Sequence, residues 1–146
     1  MSQLRRCMLC LLVLALVTVA CTSEFESTVE DFNVPNTFEL LEEGGLNSNG
    51  FRTIKRSYLT SLDSETACAQ VRAALDEWSG GPVTERDASE DFSCFLQRRW
   101  GSDHQIIESA TAMVKAIESE EDIVAASTRA DARSLLVLSF VKPRDL

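Results

Sequence analysis

Hydrophobic and polar positions follow two different periods between residues 51 and 146. Phe51–Thr60 and Phe92–Trp100 alternate at roughly every second residue, which predicts two β-strands. Residues 62–80 instead predict a helix, because one apolar stripe recurs there at helical spacing: Ala67, Val71, Ala74, Leu75 and Trp78. Asp63 is a favourable N-cap residue for this helix, and the run Gly80-Gly81-Pro82 ends it.

The later part of the chain predicts a hairpin, a short helix and a last strand. His104–Ala116 fits a helix face as well as a strand, but the short link Gly101–Asp103 suits a hairpin. Ser119 and the three acidic residues after it form a strong helix start. We therefore predict a strand over His104–Ala116 and a helix over Glu120–Ser127, with a helix over 103–118 as the alternative. Residues 131–142 predict a strand that is apolar on both faces.

These elements predict an α+β fold in the order strand, helix, strand, strand, helix, strand. That order resembles the ferredoxin-like β-α-β-β-α-β arrangement, a four-stranded antiparallel sheet with two helices on one face. In that arrangement the last strand lies at an edge, yet here the last strand is the most apolar. Because exposed apolar edges invite association, either the strand order differs or another surface covers this strand.

The first 21 residues have the composition of an export signal. Arg5 and Arg6 are the only charges before residue 24, and an apolar run dominated by Leu and Val follows from Cys7 to Val19. A basic start, an apolar run and small residues at its end make up a secretory signal peptide. The run is short for a stable membrane span, which needs about 20 residues. We therefore expect residues 1–20 to be a signal peptide.

The end of this leader, Thr18-Val19-Ala20-Cys21, resembles the lipobox of bacterial lipoproteins. In that class a small residue precedes a cysteine whose thiol receives a diacylglycerol, and the leader is cut just before it. The resemblance covers only the leader, and Thr18 stands where Leu is usual. It implies that Cys21 is the lipidated first residue of an exported domain anchored to a membrane of the bacterial cell envelope. Ordinary secretory cleavage, with Cys21 as a free thiol, and an uncut signal anchor are the alternatives.

Charge and turn residues favour a tether between this anchor and the domain. Residues 22–50 hold seven acidic residues and no Lys or Arg, and several Gly, Asn and Pro residues interrupt any regular pattern. Segments of one charge sign with few apolar residues bury too little surface to offset the entropy of ordering. We expect residues 21–50 to form a lipidated N terminus with a flexible acidic tether, and residues 51–146 to form one small domain. Without the leader the formal charge is 12 − 23 = −11, which disfavours binding to nucleic acid.

Two cysteines of the predicted domain are candidates for a disulfide. Cys68 lies on the flank of the helical stripe, and Cys94 lies on the apolar face of the following strand. Because an exported protein meets an oxidising compartment, we expect Cys68 and Cys94 to pair, with two separate buried thiols as the alternative. Cys7 and Cys10 are spaced as C-x-x-C, but within an apolar leader we interpret them as passive.

The sequence contains no constellation of residues that enzymatic chemistry needs. His104 is the single histidine, and its place at a turn beside Asp103 indicates a solvated side chain. No spacing of His and Cys resembles a zinc site, and no glycine-rich loop follows a strand. The acidic run 118–122 lacks the alternation and the glycine of a calcium loop. We expect no catalytic, cofactor-binding or metal site.

Two surfaces are candidates for contact with a partner. Arg98, Arg99 and Trp100 form a basic and aromatic patch, which the predicted sheet would extend with Arg52, Lys55 and Arg56. We prefer to interpret this patch as a solvated sheet edge with Trp100 closing the core. The last strand would expose apolar area around Leu135, Val137 and Val141 if the helices cover one face of the sheet only. Burial of these residues by the helices or by a dimer is the alternative.

The predicted function follows from the anchor and from the lack of catalytic motifs. We expect a non-enzymatic binding or interaction module whose partner is an envelope protein or ligand. An enzyme or accessory subunit with a dispersed site is the alternative. Neither the identity of the partner nor the oligomeric state follows from the sequence.

Overall fold

The computed structural model of the chain describes residues 23–48, 50–86, 92–101, 104–118 and 131–142. Within these residues the chain forms two helices and six strands. The helices are α1 (Glu24–Glu30) and α2 (Ser64–Ser79). The strands are β1 (Phe38–Ser48), β2 (Phe51–Thr60), β3 (Thr84–Arg86), β4 (Cys94–Arg99), β5 (Ser109–Ala116) and β6 (Ser134–Lys142).

All six strands form one antiparallel sheet in the order β1-β2-β6-β5-β4-β3. The last strand lies between β2 and β5, with Tyr58 and Val114 on either side of Leu136. β6 therefore hydrogen-bonds to a neighbour on both sides. The most apolar strand of the sequence is thus a central one, and its alternate residues Leu136, Leu138 and Phe140 are buried in the core.

The predicted four-stranded ferredoxin-like sheet is wrong. Two further strands are present, β1 and the three-residue β3, and the last strand is central rather than at an edge. β6 pairs with β2 along the whole length of β6, and β1 pairs with the other side of β2. β5 pairs with the remaining side of β6, which places β6 inside the sheet.

Most of the individual elements agree with the sequence pattern. The predicted helix over 62–80 is confirmed as α2, and the predicted strands over Phe51–Thr60, Phe92–Trp100 and 131–142 are confirmed as β2, β4 and β6. Ser109–Ala116 forms β5, so the prediction of a strand over His104–Ala116 is confirmed from Ser109 onwards only, and the alternative of a helix over 103–118 is wrong. The predicted helix over Glu120–Ser127 lies outside the described residues.

The predicted flexible tether is also wrong where the chain is described, because it contains α1 and β1. Ser23 caps α1: its hydroxyl accepts the Glu26 N–H, and the Glu26 carboxylate accepts the Ser23 N–H. Phe25, Val29 and Phe32 are buried, and they recur at the i, i+4, i+7 spacing of one helix face. The acidic residues lie between these three positions. Burial of the three large apolar side chains stabilises the folded segment.

Both helices pack on the same face of the sheet. Ala67, Val71 and Leu75 of α2 are buried in one core together with Phe25 and Val29 of α1. The sheet contributes alternate residues to this core, namely Tyr58, Cys94, Leu96, Ala110, Ala112, Val114, Leu136, Leu138 and Phe140. Each large side chain that is fully buried contributes about 1.5–3 kcal/mol through the hydrophobic effect.

Two buried polar residues join the ends of three elements. Thr60 and Ser134 are fully buried at the ends of β2 and β6 that face each other. The Ser134 hydroxyl donates to the Leu62 carbonyl at 2.8 Å, and the Leu62 N–H donates to the Thr60 hydroxyl at 3.3 Å. These bonds satisfy the buried polar groups and fix the start of α2 beside the sheet. Asp63 then caps α2, and the hydrogen bond from the Thr66 N–H lowers the pKa of its carboxyl.

Candidate binding surface

The predicted pairing of Cys68 with Cys94 is confirmed. The two residues form a disulfide that joins α2 to β4, with their Cα atoms 6.4 Å apart. Cys94 is buried on the face of the sheet that α2 covers. The bond therefore fixes the helix across the sheet at the start of β4. Cys21, the predicted lipidation site, lies outside the described residues and stays a prediction.

The predicted basic and aromatic patch is not assembled. β2, which carries Arg52, Lys55 and Arg56, is separated from β4 by β6 and β5. Arg98 and Arg99 are successive residues of β4, so their side chains point to opposite faces of the sheet.

Arg98 and Trp100 instead support the core beneath the end of α2. The Arg98 guanidinium stacks over the Trp100 ring, 5.3 Å from its centroid, and donates from Nη1 to the Pro82 carbonyl at 3.3 Å. Trp100 packs edge-on against Trp78, with ring centroids 5.5 Å apart. The interpretation that Trp100 closes the core is therefore confirmed.

His104 has a structural contact in the loop before β5. The Ile107 N–H donates to its Nδ1 atom at 3.2 Å, and the ring lies 6.1 Å from that of Trp100. The side chain is half-buried rather than freely solvated. Since Nδ1 accepts a hydrogen bond, the neutral ring carries its proton on Nε2. In the described part of the chain, no group of three His, Cys, Asp or Glu residues is placed to hold a metal ion.

The predicted apolar surface lies on the face of the sheet opposite α1 and α2. Leu135, Val137 and Val141 are half-buried there, because they alternate with the core residues of β6. Leu135 packs in a small cluster with Leu59 and Ala132. Neither α1 nor α2 covers this face, and Leu135 is packed there against the buried side chain of Leu59.

A groove of about 520 Å³ lies between α1 and the hairpin of β1 and β2. It is lined by Glu26 and Glu30 of α1, by β1 from Glu43 to Asn47, and by three residues of β2: Arg52, Ile54 and Arg56. The lining thus carries three carboxylates and two guanidinium groups, which suit the recognition of a polar ligand.

Two arginines hold the elements around this groove together. Arg52 forms an ion pair with Glu26 of α1. Arg56 donates from Nε to the Glu43 carboxylate and from Nη1 to the Val29 carbonyl, at 2.5 and 3.2 Å. The side chain of Arg56 is only 14% exposed, so these bonds compensate for the desolvation of its charge. β2 thus carries one arginine that fixes the start of α1 and one that links α1 to β1.

β1 is a long edge strand that is exposed on both faces. Its residues from Glu42 to Ser48 are all exposed, after a β-bulge between Leu40 and Glu42. Leu40 and Leu46 are the exposed large hydrophobic residues of the described chain, at 52% and 65%. The opposite edge strand, β3, has three residues against eleven in β1. β1 is therefore the edge of this sheet that offers an extended row of backbone donors and acceptors.

The comparisons with known proteins assign no family. No protein-family model, no curated protein and no solved structure matches the chain. Neither described helix is long and apolar enough to cross a membrane.

Proposed function

We propose that this chain is an exported lipoprotein domain, anchored through Cys21, that binds an extended segment of an envelope protein along β1 without catalysing a reaction. The observation that carries the proposal is the outer edge of β1, along which no strand of the described chain pairs. The lipobox-like end of the leader supports the anchor, and the Cys68–Cys94 disulfide supports export to an oxidising compartment.

The free edge provides the affinity for such a segment. A partner strand that adds to a sheet edge gains main-chain hydrogen bonds, while its alternate side chains supply specificity. Gly44 has no atom within 4 Å of the position that a Cβ would occupy, so a neighbouring strand meets no side chain there. Leu40 of β1 is also exposed, and its side chain offers an apolar contact to the partner segment.

The charge of β1 defines the chemistry of the partner. The strand carries Glu39, Glu42 and Glu43 and has no Lys or Arg. The Arg56 guanidinium neutralises the charge of the Glu43 carboxylate in an ion pair. Glu42 lies on the other face of the strand, opposite Ser57. A Lys or Arg opposite Glu42 contributes roughly 0.2–1 kcal/mol as a cross-strand pair. The partner segment is therefore extended and basic.

The same charges disfavour a second copy of this chain as the partner. Two β1 strands that paired edge to edge would bring acidic side chains of both copies together, and like charges directly opposite each other destabilise a strand pair. Charged residues and the bulge at Leu41 are devices by which edge strands avoid pairing with themselves.

Site-specific cross-linking in the cell tests this function. A photoreactive residue in place of Leu40 should cross-link to an envelope protein through a segment rich in Lys or Arg. The substitution Glu42→Lys should reduce this cross-link by about an order of magnitude, since it replaces attraction by repulsion. The matched control is Glu77→Lys, because Glu77 is also exposed but lies on α2.

Three results would contradict the proposal: no cross-link from residue 40, a cross-link that Glu42→Lys leaves unchanged, or a partner segment that is acidic. A cross-link from a photoreactive residue at position 137, with none from position 40, would place the binding site on the face of the sheet that α1 and α2 do not cover.

A further inference from the structure

We propose that the end of the sheet formed by the β1–β2 hairpin lies against the lipid bilayer, with Leu46 in the headgroup region. This inference rests on the proposed lipidation of Cys21, and it goes further by fixing which end of the domain faces the membrane. It identifies a lipid surface, rather than a protein, as the partner of this end.

The first step is the short distance between the anchor and the folded domain. α1 is capped by Ser23, two residues after Cys21 in the sequence. Two residues span at most about 7 Å even when fully extended. The bilayer is therefore close to the first turn of α1.

The second step is the location of that first turn on the sheet. Glu26 of α1 pairs with Arg52, which lies at the start of β2. Arg52 stands opposite Asn47 of β1 on one side and Lys142 of β6 on the other. The anchor thus leaves the domain at the end of the sheet that carries the hairpin.

The third step is the chemistry of this end. Leu46 is 65% exposed and is paired with Thr53 close to the hairpin turn. Arg52, Lys142 and Arg99 lie at the same end, together with Glu24, Glu26 and Glu108, and Arg52 is paired with Glu26. The charges of this end are therefore balanced, and its exposed leucine is the group that suits the boundary between headgroups and acyl chains.

The opposite end of the sheet is acidic. It lies where Thr60 of β2 pairs with Ser134 of β6 and where Ala116 ends β5. Four acidic residues lie near it, Glu39, Asp63, Glu65 and Glu118, against two basic ones, Lys115 and Arg133. A negatively charged membrane surface repels this end and so favours the same orientation as the anchor.

The contact needs little intrinsic affinity, because the anchor makes it intramolecular. A group held a few ångströms from a surface by a short chain experiences a high effective concentration of that surface. One exposed leucine is then enough to keep the hairpin end at the interface, whereas it would not hold an untethered domain there.

The experiment compares the two exposed leucines of β1 in the lipidated protein. Cys21 carries the lipid and Cys68 is bonded to Cys94, so Leu46→Cys or Leu40→Cys adds a single free thiol for a fluorescent label. The partners of these positions, Thr53 and Tyr58, stand about 17 Å apart along β2, which exceeds the thickness of a headgroup layer. Each labelled protein is reconstituted into vesicles of phosphatidylethanolamine and phosphatidylglycerol, with and without nitroxide-bearing lipid.

We expect nitroxide lipid to quench the label at residue 46 at least two-fold and to leave the label at residue 40 unchanged. Equal quenching at both residues, or quenching at residue 40 alone, in protein that floats with the vesicles overturns the orientation but leaves the anchor intact. Protein that lacks lipid on Cys21 and does not float with the vesicles overturns the anchor and the orientation together.

Discussion

Single residues of this domain act mainly by joining elements that are distant in the chain. Arg56 binds the carbonyl of Val29 and the carboxylate of Glu43, and so connects α1, β2 and β1. The Ser134 hydroxyl donates a hydrogen bond to the Leu62 carbonyl, and the disulfide between Cys68 and Cys94 joins α2 to β4. Each of these links holds together elements that lie far apart in the sequence.

Removal of the disulfide is expected to destabilise the domain without changing its fold. In the chain-entropy model, a loop with a sequence separation of 26 residues contributes roughly 3–4 kcal/mol. The double substitution Cys68→Ala with Cys94→Ala should lower the free energy of unfolding by about that amount, measured by urea denaturation. Wild-type protein in reductant serves as the control and should show the same loss. An unchanged denaturation midpoint in both cases would contradict the contribution of the bond.

Individual elements follow from local sequence more directly than their arrangement does. α2 has a cap, an apolar stripe and a terminating glycine, with Gly80 in the left-handed conformation at φ 61°. The predicted pairing of β4 with β5 is confirmed, although β5 begins at Ser109 rather than at His104, so the connection is longer than Gly101–Asp103. These features are decided within a few residues of the chain, so the sequence pattern was sufficient to predict them.

Exchange of backbone amides tests the arrangement of the strands. Since β6 pairs with β2 and β5 along almost its whole length, every amide from Leu135 to Val141 should exchange slowly. β1 pairs on one side only, so every second amide of Glu42–Ser48 should exchange fast. Hydrogen–deuterium exchange followed by NMR resolves both patterns. Alternating protection along β6 would show an edge strand and would refute the observed order.

The segment before β2 shows what the sequence pattern obscured. Its acids and glycines predicted a tether, although Phe25, Val29 and Phe32 mark one helix face. The dipeptide Asn49-Gly50 between two strand-compatible stretches is a strong hairpin signal, and it was interpreted as a chain breaker. The strand order itself depends on long-range pairing between residues far apart in the chain, for which a single sequence carries no direct signal. The groove and the free edge of β1 were missed for the same reason.

At the scale of the whole molecule, the fold relates the proposed anchor to the candidate binding edge. The cap of α1, Ser23, lies two residues after Cys21, so the proposed lipid would lie close to the folded domain. β1 runs towards the end of the sheet that carries the hairpin, where the proposed anchor leaves the domain. Under the two proposals, a partner along its edge therefore binds beside the membrane.

The lipid on Cys21 is the central claim, because both the anchoring and the proposed orientation depend on it. The most direct test is the intact mass of the full-length protein expressed in a bacterial host and extracted from its membranes. We predict a chain that begins at Cys21 and carries a diacylglycerol, and we predict that Cys21→Ala abolishes this species. A chain that begins at Cys21 with no added mass, or one that retains residues 1–20, would contradict the account.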